Sequence, residues 1–159
     1  MGKIVAINVV PSGMELQEVQ LASHVALGFA FAAHAGQLYN EVPYITHCLA
    51  VALPFVNTPR YVPAVLHDTV EDNSKITVAD LRWVFGSWTA SVVDALSRRE
   101  NEIYLSEYLP RLAENQHAVA IKVSDLSVNI GYCMKDPVKW ASKLKRYQAA
   151  LAYLGTKAV

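Results

Sequence analysis

The sequence predicts an all-α fold, on three observations. Apolar residues recur at helical spacing in segments that end at glycine, as before Gly36 and Gly86. Helix-start signals recur between them: Ser12 with Glu15, Thr77 with Asp80, and Asp136 followed by Pro137. After residue 10 no stretch alternates apolar and polar side chains with the period of two that a half-buried strand needs.

The elements follow in order. Ile4 to Val10 is apolar and β-branched and reads as a short extended arm. Ser12 and Glu15 read as a capping box opening a first helix that runs to about His34, its alanines suited to close packing. Pro43 opens a second helix over Tyr44 to Val56, interrupted near Pro54, and a third runs from about Arg60 to Glu71. Thr77 to Phe85, Ser87 to Leu96, Tyr104 to Glu114 and Ala118 to Tyr132 follow, and Asp136 with Pro137 opens the last. That is a bundle of seven to eight helices.

The 159 residues fit one domain, 1–159, with no repeat or linker. With 53% apolar and 18% charged residues, the chain can offset the entropy of ordering, which excludes a disordered protein. The low charge content suits a homo-oligomer or a well-covered core. A net charge of +0 argues against a nucleic-acid partner and leaves room for a small anionic ligand held by local charges. Cys48 and Cys133 form neither a CxxC pair nor a zinc spacing and read as buried free thiols of a reducing cytoplasm. Met1 to Ala6 lacks the features of a signal peptide, and the apolar run Val25 to Ala33 is too short to span a bilayer. The expectation is a cytoplasmic protein with no membrane segment.

Three stretches carry chemistry. Leu66-His67-Asp68-Thr69-Val70-Glu71-Asp72 crowds an imidazole and three carboxylates behind an apolar run. On a continuous helix His67 and Glu71 share one column, and Asp68 and Asp72 the next. Like charges so close need a cation to neutralise them, or else the stretch is a solvated helix end. In Ile121-Lys122-Val123-Ser124-Asp125 and Leu126 to Asn129, Asp125 and Asn129 share one face of a largely apolar helix and need partners, which a metal at Asp125 would supply, or else they are an ordinary surface pair. His34, closing an alanine-rich helix, is a ligand or a satisfied core histidine, and His47 reads the same way, with a structural or supporting role preferred. His34, His67, Asp68 and Asp125 together make a mixed imidazole and carboxylate set suited to manganese, iron or zinc. Glu71 and Asp72 are then free to orient or deprotonate a water.

The order of AHAGQ (33–37), PYITH (43–47), LHDTVED (66–72) and IKVSDLSVN (121–129) resembles the HD-domain superfamily. More narrowly, it is similar to the hydrolase domain of RelA/SpoT-type alarmone enzymes and their stand-alone small relatives. The resemblance implies an HD-type helical bundle and a catalytic manganese on His34, His67, Asp68 and Asp125. It implies water activation by Glu71 and Asp72, and a nucleotide contact at Asn129. It implies removal of the 3′-pyrophosphate from guanosine tetra- or pentaphosphate. Where such enzymes carry a basic pair shortly after GQ, this chain has Leu38 and Tyr39. Arg98, Arg99 and Glu100, followed by Tyr104 and Tyr108, are the candidate replacements, although Arg98-Arg99 also suits a helix C-terminus; Lys122 is a further candidate substrate contact. The rival readings are hydrolysis of another phosphorylated nucleotide, such as a nicotinamide dinucleotide phosphate or a nucleoside mono- or triphosphate, and a non-catalytic nucleotide-binding protein.

Overall fold

The computed structural model describes residues 6–157. Its helices are α1 (Leu16–Ala33), α2 (Ile45–Ala52), α3 (Tyr61–Val65), α4 (Thr69–Asp72), α5 (Val78–Leu96), α6 (Leu109–Ala113), α7 (Gln116–Cys133) and α8 (Ala141–Gly155). Between α1 and α2 lies one small antiparallel hairpin, β1 (Leu38–Tyr39) and β2 (Val42–Pro43), with Leu38 opposite Pro43 and Tyr39 opposite Val42. The all-α class therefore holds, and the hairpin is the one feature of another kind among the described residues. The chain, read from its sequence as one domain over 1–159, falls into two compact units, one ending at Ser97 and the other beginning at Arg98.

In the first unit Ala22, Ala26 and Ala30 fall on one face of α1 and are fully buried. These small side chains let α3 pack close against α1. The capping glutamate differs from expectation: Glu15, not Ser12, is the N-cap, and its backbone N–H donates to Glu18 Oε2 at 2.8 Å. Ser12 lies in a bend that includes Gly13 and is outside the helix. At the other end Gly36 takes φ 79°, which turns the chain toward the hairpin.

Two helices are broken, the second near the proline that was expected to disturb it and the third where an unbroken helix was expected. The second stops at Ala52 and continues as a 3-10 turn, Leu53–Phe55, because Pro54 has no amide to donate. The third divides into α3 and α4. The Leu66 carbonyl is taken by the backbone N–H of Thr69 at 3.0 Å and by its hydroxyl at 2.8 Å. That tight turn re-aims His67 and Asp68.

Helix α5 starts at the expected cap, with the Thr77 N–H donating to Asp80 Oδ2 at 2.8 Å and the Asp80 N–H to Thr77 Oγ1 at 3.2 Å. It kinks at Gly86, which sits at φ 88°, ψ 170°. The kink frees the carbonyls of Val84 and Phe85, which accept from the N–H groups of Ile7 at 2.7 Å and Val9 at 3.0 Å. The extended arm is thus docked on α5 through buried Val9, while its Ile4 and Val5 lie outside the described residues.

In the second unit a π-helical turn, Tyr104–Tyr108, leads into α6. Arg111 clamps this region by donating to Glu102 through Nε at 2.6 Å and Nη2 at 2.8 Å. Asn115 caps α7 by accepting from the N–H groups of His117 and Ala118, both at 3.1 Å, so α7 starts slightly before the expected Ala118. Helix α8 starts later than Pro137: Asp136 accepts from the Lys139 N–H at 3.0 Å, but the segment up to Trp140 is a turn. Cys48 and Cys133 are both buried and neither is in a disulfide. Among the described residues no helix is long and apolar enough to cross a membrane.

Gly86→Ala should destabilise the protein by about 1–3 kcal/mol, since its φ and ψ suit glycine alone. The Asn8 side chain also lies where the new Cβ would stand. A denaturant midpoint unchanged by the substitution would contradict the docked arm.

The Arg111 hydrogen bonds hold the Glu102 carboxyl down from 4.5 to about 2. A carboxyl lowered on folding stabilises the native state above its ordinary pKa and loses that contribution as pH falls through the folded value. The protein should therefore lose stability progressively from about 4.5 down to about 2, and Glu102→Gln should remove that component from a series of melts across the window.

Candidate metal centre

The site is assembled in the first unit from the break between α3 and α4. His67 is buried and its Nδ1–H donates to the Ala64 carbonyl at 2.9 Å. That bond fixes the tautomer, so a neutral ring presents the lone pair of Nε2. Nε2 lies 2.8 Å from Asp68 Oδ2. A lone pair and a carboxylate oxygen at that distance repel each other unless a proton or a cation lies between them.

Helix α2 brings a third donor. His47, buried on its first turn, has Nε2 at 3.7 Å from Asp68 Oδ2, and its ring centroid is 5.3 Å from that of His67. One donor atom from each of His47, His67 and Asp68 lies within 4.8 Å of the other two. The set fits a divalent metal, because two neutral imidazoles and a carboxylate suit manganese, iron or zinc and are mostly shielded from water.

The histidine in this cluster is His47; His34, which the sequence reading named as a ligand, is not one of its three residues, and its Nε2 is buried with no hydrogen-bond partner. His34 is buried at the end of α1, its Nδ1 bonded to Gln37 Oε1 at 2.7 Å and its ring stacked on Tyr44 at 4.8 Å. Both histidines sit among apolar neighbours in the sequence, so spacing does not distinguish them. What separates them is the β1–β2 hairpin, which turns the chain back and delivers Tyr44 and His47 to the turn after α3.

Two supporting side chains escaped the sequence reading. The Tyr44 hydroxyl donates to Asp68 Oδ2 at 2.7 Å. Burial first, and then the adjacent Asp68 charge, push this phenol well above its ordinary range, so it remains a protonated donor. Gln37 donates through Nε2 to Asp72 Oδ2 at 2.9 Å. Asp72 and Glu71 are both exposed on α4, while Leu38 points to solvent and the Tyr39 ring lies 4.8 Å from that of His47. A cavity of about 220 Å³ on the same unit is lined by residues including Gln20, His24 and Tyr61, and none of the clustered donors lines it.

The remaining candidates lie in the second unit. Asp125 is buried, accepting from Asn129 Nδ2 at 2.6 Å and pairing with Lys122 Nζ at 2.8 Å. Burial works most strongly against the Lys122 charge, but Asp125, Tyr108 and Tyr104 together outweigh it and hold the ammonium well above its ordinary pKa. Lys122 also sits over the Tyr108 ring at 5.5 Å. Asp125, Lys122 and Asn129 thus form one hydrogen-bonded group. Arg98 and Arg99 are exposed at the start of the unit, where the Arg99 backbone N–H donates to Glu102 Oε2 at 2.9 Å.

No family model matches the chain, and no curated protein matches it. Among solved structures it is similar to a metazoan ortholog of SpoT, a protein that hydrolyses ppGpp and plays a role in starvation responses. The two share 19% identity at a TM-score of 0.71 over 86% of this chain and 85% of that one. The likeness shows the fold, the HD-type helical bundle that the sequence motifs imply.

Titration with manganese should give a bound ion that His47→Ala and Asp68→Ala abolish. Tyr44→Phe should weaken binding by about 10–100-fold, the usual cost of removing a hydrogen bond to a ligand. Undiminished manganese binding by His47→Ala would rule out this centre.

Proposed function

We propose that this protein is a metal-dependent phosphohydrolase of a small phosphorylated nucleotide, with the 3′-pyrophosphate of ppGpp as the first substrate to test. The observation that carries the reading is the convergence of His47, His67 and Asp68 in one largely buried cluster. The shared fold with a ppGpp-hydrolysing protein supports it. A divalent ion on these residues, manganese or alternatively iron or zinc, would supply positive charge against phosphate oxygens and make water more acidic. Further ligands at His34 and Asp125 belong to the same proposal; Asp125 rests on the order of the motifs alone, and His34 also on its buried Nε2, which has no hydrogen-bond partner.

The chain's own groups divide the remaining work. Tyr44 and the His67 tautomer orient the ligand atoms. Asp72, with one oxygen held by Gln37, presents the other to accept a proton from water, and Glu71 on the same turn assists. Asn129, Lys122, Arg98 and Arg99 are the candidate substrate contacts. Lys122 and Asn129 have to share themselves with Asp125, and the exposed arginines carry the planar, charge-assisted donors that suit phosphate.

A second reading, hydrolysis of another nucleotide, is favoured by one feature. Neither Leu38 nor Tyr39 offers a cation, and the Tyr39 ring lies against His47, so this edge of the site presents apolar and aromatic surface.

The test is a panel of ppGpp, GTP and NADPH with manganese, with each product identified. The proposal expects metal-stimulated pyrophosphate release from ppGpp to exceed turnover of the others, and Asp72→Asn to lower kcat by about a hundredfold or more while manganese stays bound. Preferred cleavage of GTP or NADPH would favour the second reading. No metal-stimulated hydrolysis at all would overturn both.

A further inference from the structure

The last part of the chain is charged unlike the rest. Basic and acidic residues balance over the whole sequence, 14 to 14, but over residues 132–157 six basic residues stand against the single carboxylate of Asp136. Three of the six gather around two aromatic rings. Lys135 Nζ lies 5.6 Å from the centre of the Tyr132 ring, and the Nζ atoms of Lys139 and Lys143 lie 4.9 and 4.8 Å from that of Trp140. The two rings are 6.1 Å apart, so the five side chains form one patch where α7 gives way to α8, within the second unit.

The turn that joins the two helices presents apolar side chains amid this charge. Val138 is 88% exposed, the most of any large apolar side chain among the described residues, and Met134 is 56% exposed. The turn is ordered by its own hydrogen bonds. The N–H groups of Lys135 and Asp136 donate to the carbonyls of Tyr132 and Cys133 at 3.1 and 3.2 Å, and the Trp140 N–H donates to the Asp136 carbonyl at 3.1 Å. The one acid present is engaged as well, since Asp136 Oδ1 accepts from the Lys139 N–H at 3.0 Å. A single exposed valine is ordinary. A valine held out by a fixed turn, beside a methionine, three lysines and two aromatic rings, suits a boundary between water and hydrocarbon. Apolar tips enter such a boundary, aromatic rings lie at its polar edge, and lysines keep their ammonium groups in water.

We propose that the turn 134–140 is a peripheral binding site for an anionic phospholipid bilayer. Val138 and Met134 enter the acyl boundary, Tyr132 and Trp140 lie among the headgroups, and Lys135, Lys139 and Lys143 meet the lipid phosphates and carboxylates. Such attachment needs no helix that crosses the bilayer and does not depend on the phosphohydrolase reading. Charge complementarity selects an anionic surface, and the apolar tip selects lipid among anionic surfaces. A single-stranded nucleic acid offers the same phosphates but no hydrocarbon for Val138 and Met134. The Trp140 ring on which a base would stack is already occupied by Lys139 and Lys143.

The test is co-sedimentation of the full chain with vesicles of phosphatidylcholine alone and of phosphatidylcholine and phosphatidylserine in equal parts. The protein should bind the anionic vesicles, release from them as potassium chloride is raised, and leave the neutral ones in suspension. Lys139→Gln and Lys143→Gln should each lower the partition coefficient by about fivefold. Val138→Ser should lower it by about tenfold, because the valine loses its transfer into hydrocarbon. All three side chains are exposed, so the variants should melt with the wild type. The valine variant separates insertion from charge attraction alone: wild-type binding by Val138→Ser would overturn the proposal even if both lysine variants bind poorly. Equal binding to the two kinds of vesicle, or binding to neither, would overturn it too. Capture of labelled oligouridylate or polyglutamate in place of vesicles would assign the patch to a nucleic acid or an acidic protein instead.

Discussion

The site depends on one bond, from His67 Nδ1 to the Ala64 carbonyl. With that nitrogen occupied, the other faces Asp68 Oδ2 at 2.8 Å, and the pair is unfavourable without a positive charge between them. The remaining features of the centre serve this pair. His47 adds a second imidazole, Tyr44 satisfies the carboxylate from outside, and burial keeps water from screening the charges.

Such an arrangement needs a broken helix. On a continuous helix His67 and Asp68 would point about 100° apart, and the donors would be spread over two columns. The turn at Leu66, held by the Thr69 hydroxyl and amide, brings the neighbouring side chains to one spot. The same turn restarts the chain as the single-turn α4, which carries Glu71 and Asp72 on an exposed surface beside the ligands. The clustered donors are largely buried while Glu71 and Asp72 stay accessible, a division that would suit a centre holding an ion and working on water.

The second unit contains its own charged cluster. Asp125 is neutralised by Lys122 and hydrogen-bonded by Asn129, and Lys122 is shielded over Tyr108. A buried carboxylate would be costly alone, and the lysine three residues earlier on the same helix face offsets that cost. A residue chosen from the sequence as a substrate contact is here first of all the partner of a carboxylate.

The sequence by itself determined the fold class and where the ionisable groups crowd. Helical periodicity, the Thr77–Asp80 cap and the absence of alternation required helices, and the crowding of His67, Asp68, Glu71 and Asp72 required a cation or solvent. Both are local properties, set by spacing and by charges fixed to one short stretch. Only the tertiary structure decided which histidine completes the cluster, because His34 and His47 have equivalent apolar surroundings in sequence. The choice depends on a hairpin whose two-residue strands are too short for periodicity to reveal. Tyr44 and Gln37 were illegible for the same reason: their partners, Asp68 and Asp72, lie 24 and 35 residues away. A hydrogen bond between distant segments leaves no pattern in the sequence; it exists only once packing has brought its two ends together.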